Sequence, residues 1–420
     1  MVLLSDLVRR SVTDATGRQA RLVDLGVDLT VSDRPPVTLL VIRYGTAGRI
    51  VPMELVVDVG DPIRVADLEA AEACSDERLV ERDLLRRDVL DMLVLDLDRE
   101  RTVRVNDIWL EPGAASPAAA GGAGLVLAGI DVTPQAILRR ITRGLVGGSK
   151  PKHLVDWTDV ELLHGEPHRM RAGEPLQPRV TRLLPAKIAD LADALPYLHA
   201  AELLARLEAP QAADVFELLL PERQIQVLGE LDEERTIAML SEVAPDYVAD
   251  VLGRLPLEEA REILEHLPRP HAVLVADLLR YPPGTAGGIM TNDVVIVPAG
   301  LTVAKAIEAI RPRLATPDLV YYVYVVADLE TRRLVGMLTL RDLLLAKADD
   351  PIDDVMNGTL ITAEPLEGAA VVAYRLADNQ LNALPVIDAE QRLLGVVTID
   401  KAIAQIAPEA VRQDLPRVFA

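Results

Sequence analysis

The sequence predicts a multi-domain α+β protein: small β-barrels at the N-terminus, a central α-helical solenoid and a C-terminal tandem α/β pair. Three observations predict it. Residues 188–281 repeat every 12 positions, eight times over, residues 1–166 carry a β-rich duplication, and two β-α-β-β-α units of similar length lie beyond Gly288. The boundaries read as β units at 1–70 and 78–166, a linker at 167–186, the solenoid at 187–281, α/β units at 286–347 and 350–407, and a tail at 408–420.

In the first region Asp6-Leu-Val-Arg-Arg10 returns as Asp83-Leu-Leu-Arg-Arg87, and residues 19–29 have a counterpart in 101–111. Both longer stretches alternate as half-buried strands do. Residues 50–57 have a looser echo in 154–160. Residues 112–124, rich in Ala and Gly, are expected to form a flexible loop. A short helix is expected over 134–143, with Thr133 as N-cap, Pro134 at its first position and Gly144 just past its end.

The 12-residue repeat is anchored on Leu195, Leu207, Leu219, Leu231, Val243, Leu255, Leu267 and Leu279, each preceded at −3 and −4 by a mostly apolar pair and at −7 by a mostly small residue. That spacing puts one apolar stripe on a helix. Twelve residues overshoot three helical turns by about 120°, so a continuous helix cannot keep the stripe on one side. The chain must turn between units, and Pro196, Pro210, Pro221, Pro245, Pro256 and Pro268 lie at or near the junctions. A stack of short helices follows from this. Pro282-Pro-Gly-Thr-Ala-Gly-Gly288 then breaks the pattern.

The final pair duplicates a local design. Met290-Thr291 opens one unit, with strands at 294–297, 321–326 and 334–338 and a helix at 302–314; Met356-Asn357 opens the next, with 360–362, helix 366–378, strand 383–387 and the Gly395 segment. Gly336-x-x-Thr339-x-x-Asp342 marks the first unit and Gly395-x-x-Thr398 the second.

Composition bounds the function. Hydrophobic residues make up 50% and charged residues 26% of the 420, as in a globular protein, with a core of Leu, Val, Ile and Ala because aromatics are only 3%. Cys74 is the single cysteine, so no internal disulfide forms and a reducing, cytoplasmic setting is expected. The N-terminus lacks signal-peptide character, and no stretch approaches the roughly 20 apolar residues of a transmembrane helix. A net charge of −21 argues against nucleic-acid binding and is compatible with cation binding or simply with an acidic surface.

The last pair resembles tandem CBS domains, on the Gly-x-x-Thr-x-x-Asp element. The solenoid, with the junction Tyr281-Pro-Pro-Gly-Thr-Ala-Gly-Gly-Ile-Met-Thr291, is similar to the cytosolic N domain of MgtE-type magnesium transporters and its link to a CBS pair. Residues 1–166 resemble two PRC-barrel units. The resemblance implies the regulatory part of such a transporter without its membrane domain, adenine-nucleotide binding between the CBS units, and a homodimer formed through them. It also implies acidic residues of the N domain and of the CBS end brought together over Mg²⁺.

On that basis Thr339 and Asp342, with Arg341 alongside, are candidates for a nucleotide half-site: a carboxylate for ribose hydroxyls and a hydroxyl for ribose or phosphate at a helix start. The same Thr-x-x-Asp is also close to a helix capping box. The second half-site has Thr398 and Asp400, but Lys401 stands where the Asp belongs, and lysine accepts no hydrogen bond although it can contact phosphate. Metal candidates are the i, i+4 pairs Asp246/Asp250 and Glu258/Glu262, then Asp400 and Glu409, and the run Asp349, Asp350, Asp353, Asp354. Mg²⁺ takes few carboxylates and keeps several waters, which leaves a weak motif, and a solvated acidic face reads the same way.

Catalysis finds no support: the six histidines show no metal or triad spacing, and residues 284–288 are not followed by the Gly-Lys-Ser/Thr of a phosphate loop. The expected protein is therefore a cytosolic, non-enzymatic regulator that senses an adenine nucleotide, Mg²⁺ or both, hinging near residues 282–288 and contacting a membrane transporter or other protein. The alternative is a constitutive interaction scaffold without a small-molecule ligand.

Overall fold

The alternating run that begins at Gln19 folds as a strand, and the N-terminal region is built around it and its duplicate. The computed structural model describes residues 2–29, 33–73, 82–113, 124–142, 154–163, 176–315 and 321–406. The chain divides into two units, Met1–Leu207 and Glu208–Ala420.

In the first unit, β1 (Val2–Leu3) and the helical turn α1 (Leu4–Leu7) lead to β2 (Ser11–Thr13), β3 (Gln19–Val27), β4 (Val37–Tyr44), β5 (Ala47–Pro52), β6 (Val56–Asp58), β7 (Ile63–Val65) and β8 (Glu72–Ala73). A second half follows: β9 (Asp83–Leu84), a helical turn at Leu85–Val89, β10 (Leu93–Asp96), β11 (Arg101–Arg104), β12 (Asp107–Gly113), β13 (Gly124–Asp131), α2 (Pro134–Ile141), β14 (Leu154–Asp156) and β15 (Val160–Leu162). The sheets run β6-β7-β2-β3-β4-β5-β8 with β9 on β3, β1-β12-β13-β14, and β11-β10-β15. The echo between residues 50–57 and 154–160 is a strand, a 3-10 turn and a strand in both halves.

Each half opens on the other. β1 pairs with β12, Leu3 opposite Trp109, and β9 pairs with β3, Leu84 opposite Gly26. Asp107 accepts from Ser5 N (3.2 Å) and Ser5 Oγ (2.6 Å), while Asp24 accepts from Arg86 N (2.8 Å) and Arg87 N (3.1 Å). A buried carboxylate thus meets the free N–H groups of each helical turn, where the local dipole favours negative charge. Burial pushes the Asp24 carboxyl up to about 6, against the donors that favour its charged form. One core is common to both halves and includes Leu4, Leu22, Ile42, Ile63, Ile108, Leu127 and Trp157. The pairing makes Leu4 correspond to Leu85, so the Asp6/Asp83 alignment of the sequence is out of register.

Helix α2 begins at Pro134, but Thr133 does not cap it with its side chain; its hydroxyl donates to Asp131 Oδ1 at 2.6 Å. Arg139 points inward to Asp131 (2.8 Å) and Asp107 (3.5 Å). Of the loop expected at 112–124, residues 112–113 end β12 and Gly124 starts β13, while 114–123, like Gly144 and Cys74, lie outside the described residues.

The repeat folds as eight helices whose first residues fall 12 apart. They are α3 (Pro185–Ala194) and α4 (Tyr197–Ala205) in the first unit, then α5 (Ala209–Leu218), α6 (Pro221–Leu228), α7 (Glu233–Leu240), α8 (Pro245–Leu252), α9 (Leu257–His266) and α10 (Arg269–Leu278) in the second. Each junction proline sits at an N-cap or in a first turn, where a missing N–H is harmless. Anchors Leu195, Leu207, Leu219, Val243 and Leu267 are buried, whereas Leu279 is exposed. At the start of the run, α4 is tied to β15: Arg206 contacts Glu161 at 2.7 Å and Glu202 at 3.7 Å, all three buried.

After α10 come α11 (Ala286–Ile289), β16 (Ile296–Pro298), α12 (Val303–Ile310), β17 (Val323–Val326), β18 (Leu334–Leu338) and α13 (Leu340–Leu345). The second half has α14 (Ile352–Val355), α15 (Ala369–Asp378), β19 (Ala383–Ile387), β20 (Leu393–Thr398) and α16 (Ile399–Ile406). The strand expected at 360–362 forms no regular element. The two hairpin tips hydrogen-bond each other, Leu334 N to Gln391 O and Leu393 N to Arg332 O, both at 2.9 Å.

The joint after α10 differs from the expected hinge. Ala286 N donates to Glu367 O (2.7 Å), Gly287 N to Pro365 O (2.8 Å) and Ala369 N to Gly284 O (2.9 Å). A Cβ on Gly288 would strike the Pro282 carbonyl, and Gly284 takes φ +75°. The glycines there serve close packing and a left-handed turn, and the segment is bonded down along its length.

Candidate functional site

The glycines of the two Gly-x-x-Thr elements are explained by packing. Gly336 lies on β18, and a Cβ there would collide with Met356 Sδ; one on Gly395, on β20, would meet Thr291 O at 2.5 Å and Met290 Sδ at 2.9 Å. Met290-Thr291 therefore lies on the second half's strand, with Thr291 and Val396 exchanging 2.9 Å bonds, and Met356-Asn357 lies on the first half's strand beside Met337. The sequence pattern showed these methionines as unit openings but not what they cover.

The Thr-x-x-Asp part is a capping box. Thr339 N and Oγ1 donate to Asp342 Oδ2 at 2.9 and 2.7 Å, and Asp342 N donates back to Thr339 Oγ1 at 3.1 Å. Asp342 is half-buried and Arg341 exposed. Among the described residues, Asp342 Oδ1 enters no hydrogen bond, so one acceptor lone-pair set stays available for a hydroxyl donor.

At the second half-site Thr398 ends β20, Asp400 is exposed in the first turn of α16, and Lys401 turns away to α8. Its ammonium lies 2.8 Å from Asp246 Oδ2, 3.9 Å from Asp250 Oδ2 and 3.3 Å from the centre of the Tyr247 ring. Only 17% of the Lys401 side chain and 9% of Asp246 are exposed, so the contact is largely desolvated. Burial alone would lower the lysine pKa; Asp246, Tyr247 and Asp250 outweigh it and hold the ammonium charged, above the usual lysine range. Burial pushes the Tyr247 phenol up, partly opposed by Lys401. Helix spacing places Asp246 and Asp250 on one face, as the sequence implies; their partner comes from a helix far along the chain, and Tyr247 gave no signal of its role.

The remaining acidic candidates are dispersed. Glu258 pairs with Arg261 at 3.4 Å on an exposed face, and Glu262, one turn on, is exposed. Asp350 accepts from Lys347 N (2.9 Å), closing a local turn, and Asp353 accepts from Gly300 N (2.8 Å), a residue far back in the chain. Asp349 and Asp354 are exposed. Glu409 lies outside the described residues. Among the described residues no group of three His, Cys, Asp or Glu side chains could hold a metal ion. Asp246 and Asp250 as they stand do not fit Mg²⁺: the Lys401 ammonium lies against both carboxylates, and a second cation there would be repelled at contact distance.

Among the described residues no helix is long and apolar enough to cross a membrane. Residues 183–284 match the MgtE intracellular N domain, and residues 286–349 and 352–407 each match the CBS domain. The chain is 35% identical over 153 residues to the magnesium transporter MgtE of Thermus thermophilus and 36% identical over 136 residues to that of Enterococcus faecalis. These alignments cover 36% and 32% of this chain, and only 33% and 30% of the respective relatives. A crystal structure of the cytosolic domain of the Mg²⁺ channel MgtE in complex with ATP superposes with a TM-score of 0.51 at 31% identity, covering 54% of this chain and 91% of that one. The soluble part of a magnesium transporter does so with a TM-score of 0.51 at 29% identity, covering 54% and 89%. Over residues 183–407 the chain belongs to the MgtE family, as an intracellular N domain followed by a CBS pair.

Proposed function

We propose that residues 183–407 are a non-enzymatic regulatory module of magnesium transport that senses an adenine nucleotide at one half-site, Thr339–Asp342. The observation that carries this reading is the likeness to an ATP-bound MgtE cytosolic domain over 91% of that chain. The available Asp342 Oδ1 supports a ribose contact at the first half-site, with Thr339 and Arg341 alongside. At the second, Thr398 and Asp400 lie where β20 passes into α16, while Lys401 is committed to α8. Mg²⁺ enters this reading as the nucleotide's counter-ion, not as an ion held by Asp246, Asp250, Glu258, Glu262, Asp400 or Glu409. Isothermal titration with ATP, ADP and AMP in the presence of Mg²⁺ tests it: one nucleotide per chain, lost in Asp342→Ala and kept in Thr398→Ala, is the expected result. Two per chain, or binding indifferent to Asp342, sinks it.

The module acts as a cytoplasmic homodimer that contacts a membrane transporter. Exposed Leu344 and Leu345 on α13, Val371 and Tyr374 on α15, and Ile403 on α16 supply apolar surface for a second copy. Sedimentation will give a dimer for the wild type and a monomer for Leu344→Glu/Tyr374→Glu. The eight helices act as a solenoid, and the duplicated strands of residues 2–162 as paired PRC-barrel-like units that recruit protein partners. A second reading, a constitutive scaffold with no small-molecule ligand, is favoured by one observation: Lys401 occupies the acceptor position of the second half-site. It prevails if none of the three nucleotides binds.

A further inference from the structure

Lys401 reaches from the last described helix, α16, into the face of α8, a helix made much earlier in the chain. Three groups of one helical turn receive it: the Asp246 carboxylate at 2.8 Å, the Tyr247 ring at 3.3 Å and the Asp250 carboxylate at 3.9 Å. Tyr247 follows Asp246 directly and Asp250 lies one turn on, so the three line a single notch of α8. The ring face adds attraction for a cation that carboxylates alone would not supply. Both α8 and α16 also present buried apolar residues, Val248, Val251 and Ala402 among them.

We infer that the Lys401 ammonium is a tethered cation that clamps α16 onto α8, so that this contact forms without a divalent metal. Two negative side chains on one helical turn repel each other and need a cation before a neighbouring element can close over them. A free ion supplies that charge at a concentration-dependent occupancy. A lysine built into the apposed helix supplies it permanently, and carries its own helix into place with it. The position matters as well. Lys401 stands where the Thr-x-x-Asp pattern of the first half has its carboxylate, so the second half has exchanged an acceptor facing its own strand for a cation facing α8.

The inference is independent of nucleotide binding, and its test contains no nucleotide. Hydrogen–deuterium exchange on the full chain is followed at α8 and α16 in EDTA and in 10 mM MgCl₂. The wild type will show the same protection of both helices in the two buffers. Lys401→Met, which keeps the apolar stem, will lose protection at both helices by about tenfold or more in EDTA, and Lys401→Arg will retain most of it. Asp246→Asn will loosen the same two helices, with little further loss when combined with Lys401→Met. Protection of wild-type α16 that requires Mg²⁺ would overturn the clamp. So would a Lys401→Met protein indistinguishable from wild type, or losses from Lys401→Met and Asp246→Asn that simply add. If Lys401→Met fails to fold, the EDTA comparison on the wild type and the Lys401→Arg result decide the matter.

Discussion

A methyl group on Gly395 would press on the backbone oxygen of Thr291, whereas one on Gly336 would press on the flexible end of Met356. Backbone yields less than a thioether, so Gly395→Ala will cost about 1–3 kcal/mol and Gly336→Ala less, as read by urea unfolding. Thr339→Ala removes a capping hydroxyl and will cost about 1 kcal/mol by the same measurement. Asp24 makes a prediction in pH. Its carboxyl is raised to about 6 in the folded chain, so the folded state holds a proton that the unfolded state has released between about pH 4 and 6. Stability contributed at this position therefore falls as pH rises through that window. Wild type minus Asp24→Asn, followed by denaturant melts from pH 4 to 7, will show the decline, and a flat difference would refute it. At this scale the sequence was legible only where a side chain acts on its near neighbours. Thr339 and Asp342 read equally as a nucleotide pair or a capping box because both uses demand the same atoms at the same spacing. Asp246 and Asp250 read as a metal pair because their partner, Lys401, belongs to no local pattern.

Elements were more legible, since period and punctuation are local properties. The 12-residue spacing and its prolines place all eight helices, α3 to α10, with first residues at the same interval. The pattern weakens toward α9 and α10, where Leu279 is exposed and Ile263 and Leu264 are only half-buried. Helix α2 shows the limit: Thr133 and Pro134 mark its start, yet the hydroxyl is drawn to Asp131 by a tertiary turn. The tie between α4 and β15 was invisible, because Glu161, Glu202 and Arg206 fit no motif as sequence. Breaking it will be severe. Arg206→Met removes the cation between two buried carboxylates and will cost about 3–5 kcal/mol in chemical denaturation. A loss under about 1 kcal/mol would mean that other contacts of these residues carry the joint.

For the whole molecule, the repeats are legible in the sequence, but the exchange of segments between their halves is not. Residues 1–70 and 78–166 were expected to be two units, but Leu4 and Leu85 each sit in a core common to both halves. Pattern alone cannot reveal an exchange, because a strand carries the same alternation whichever neighbour it pairs with. The CBS pair repeats the arrangement, with Met290-Thr291 on β20 and Met356-Asn357 beside β18. Residues 286–349 expressed alone will therefore lack a folded signature by circular dichroism and amide NMR dispersion, whereas 286–407 will show one. A well-dispersed spectrum for the shorter piece would contradict the exchange.

That exchange has a consequence for synthesis. Val2 and Leu3 leave the ribosome well before their partner strand, with Trp109 and Leu110, which follows only after the whole first half has been made. Until then Ser5 has no Asp107 to receive its N–H, and the first long strand, β3, has no Asp83–Leu84 along its edge. The nascent N-terminal half must wait, with an open strand edge, for its complement to emerge. A pause or truncation between residues 70 and 110 will leave β2–β8 able to pair among themselves while Val2–Leu3 and the shared core lack their second-half partners, and exposed apolar surface with an open strand edge is what chaperones bind and proteases cut.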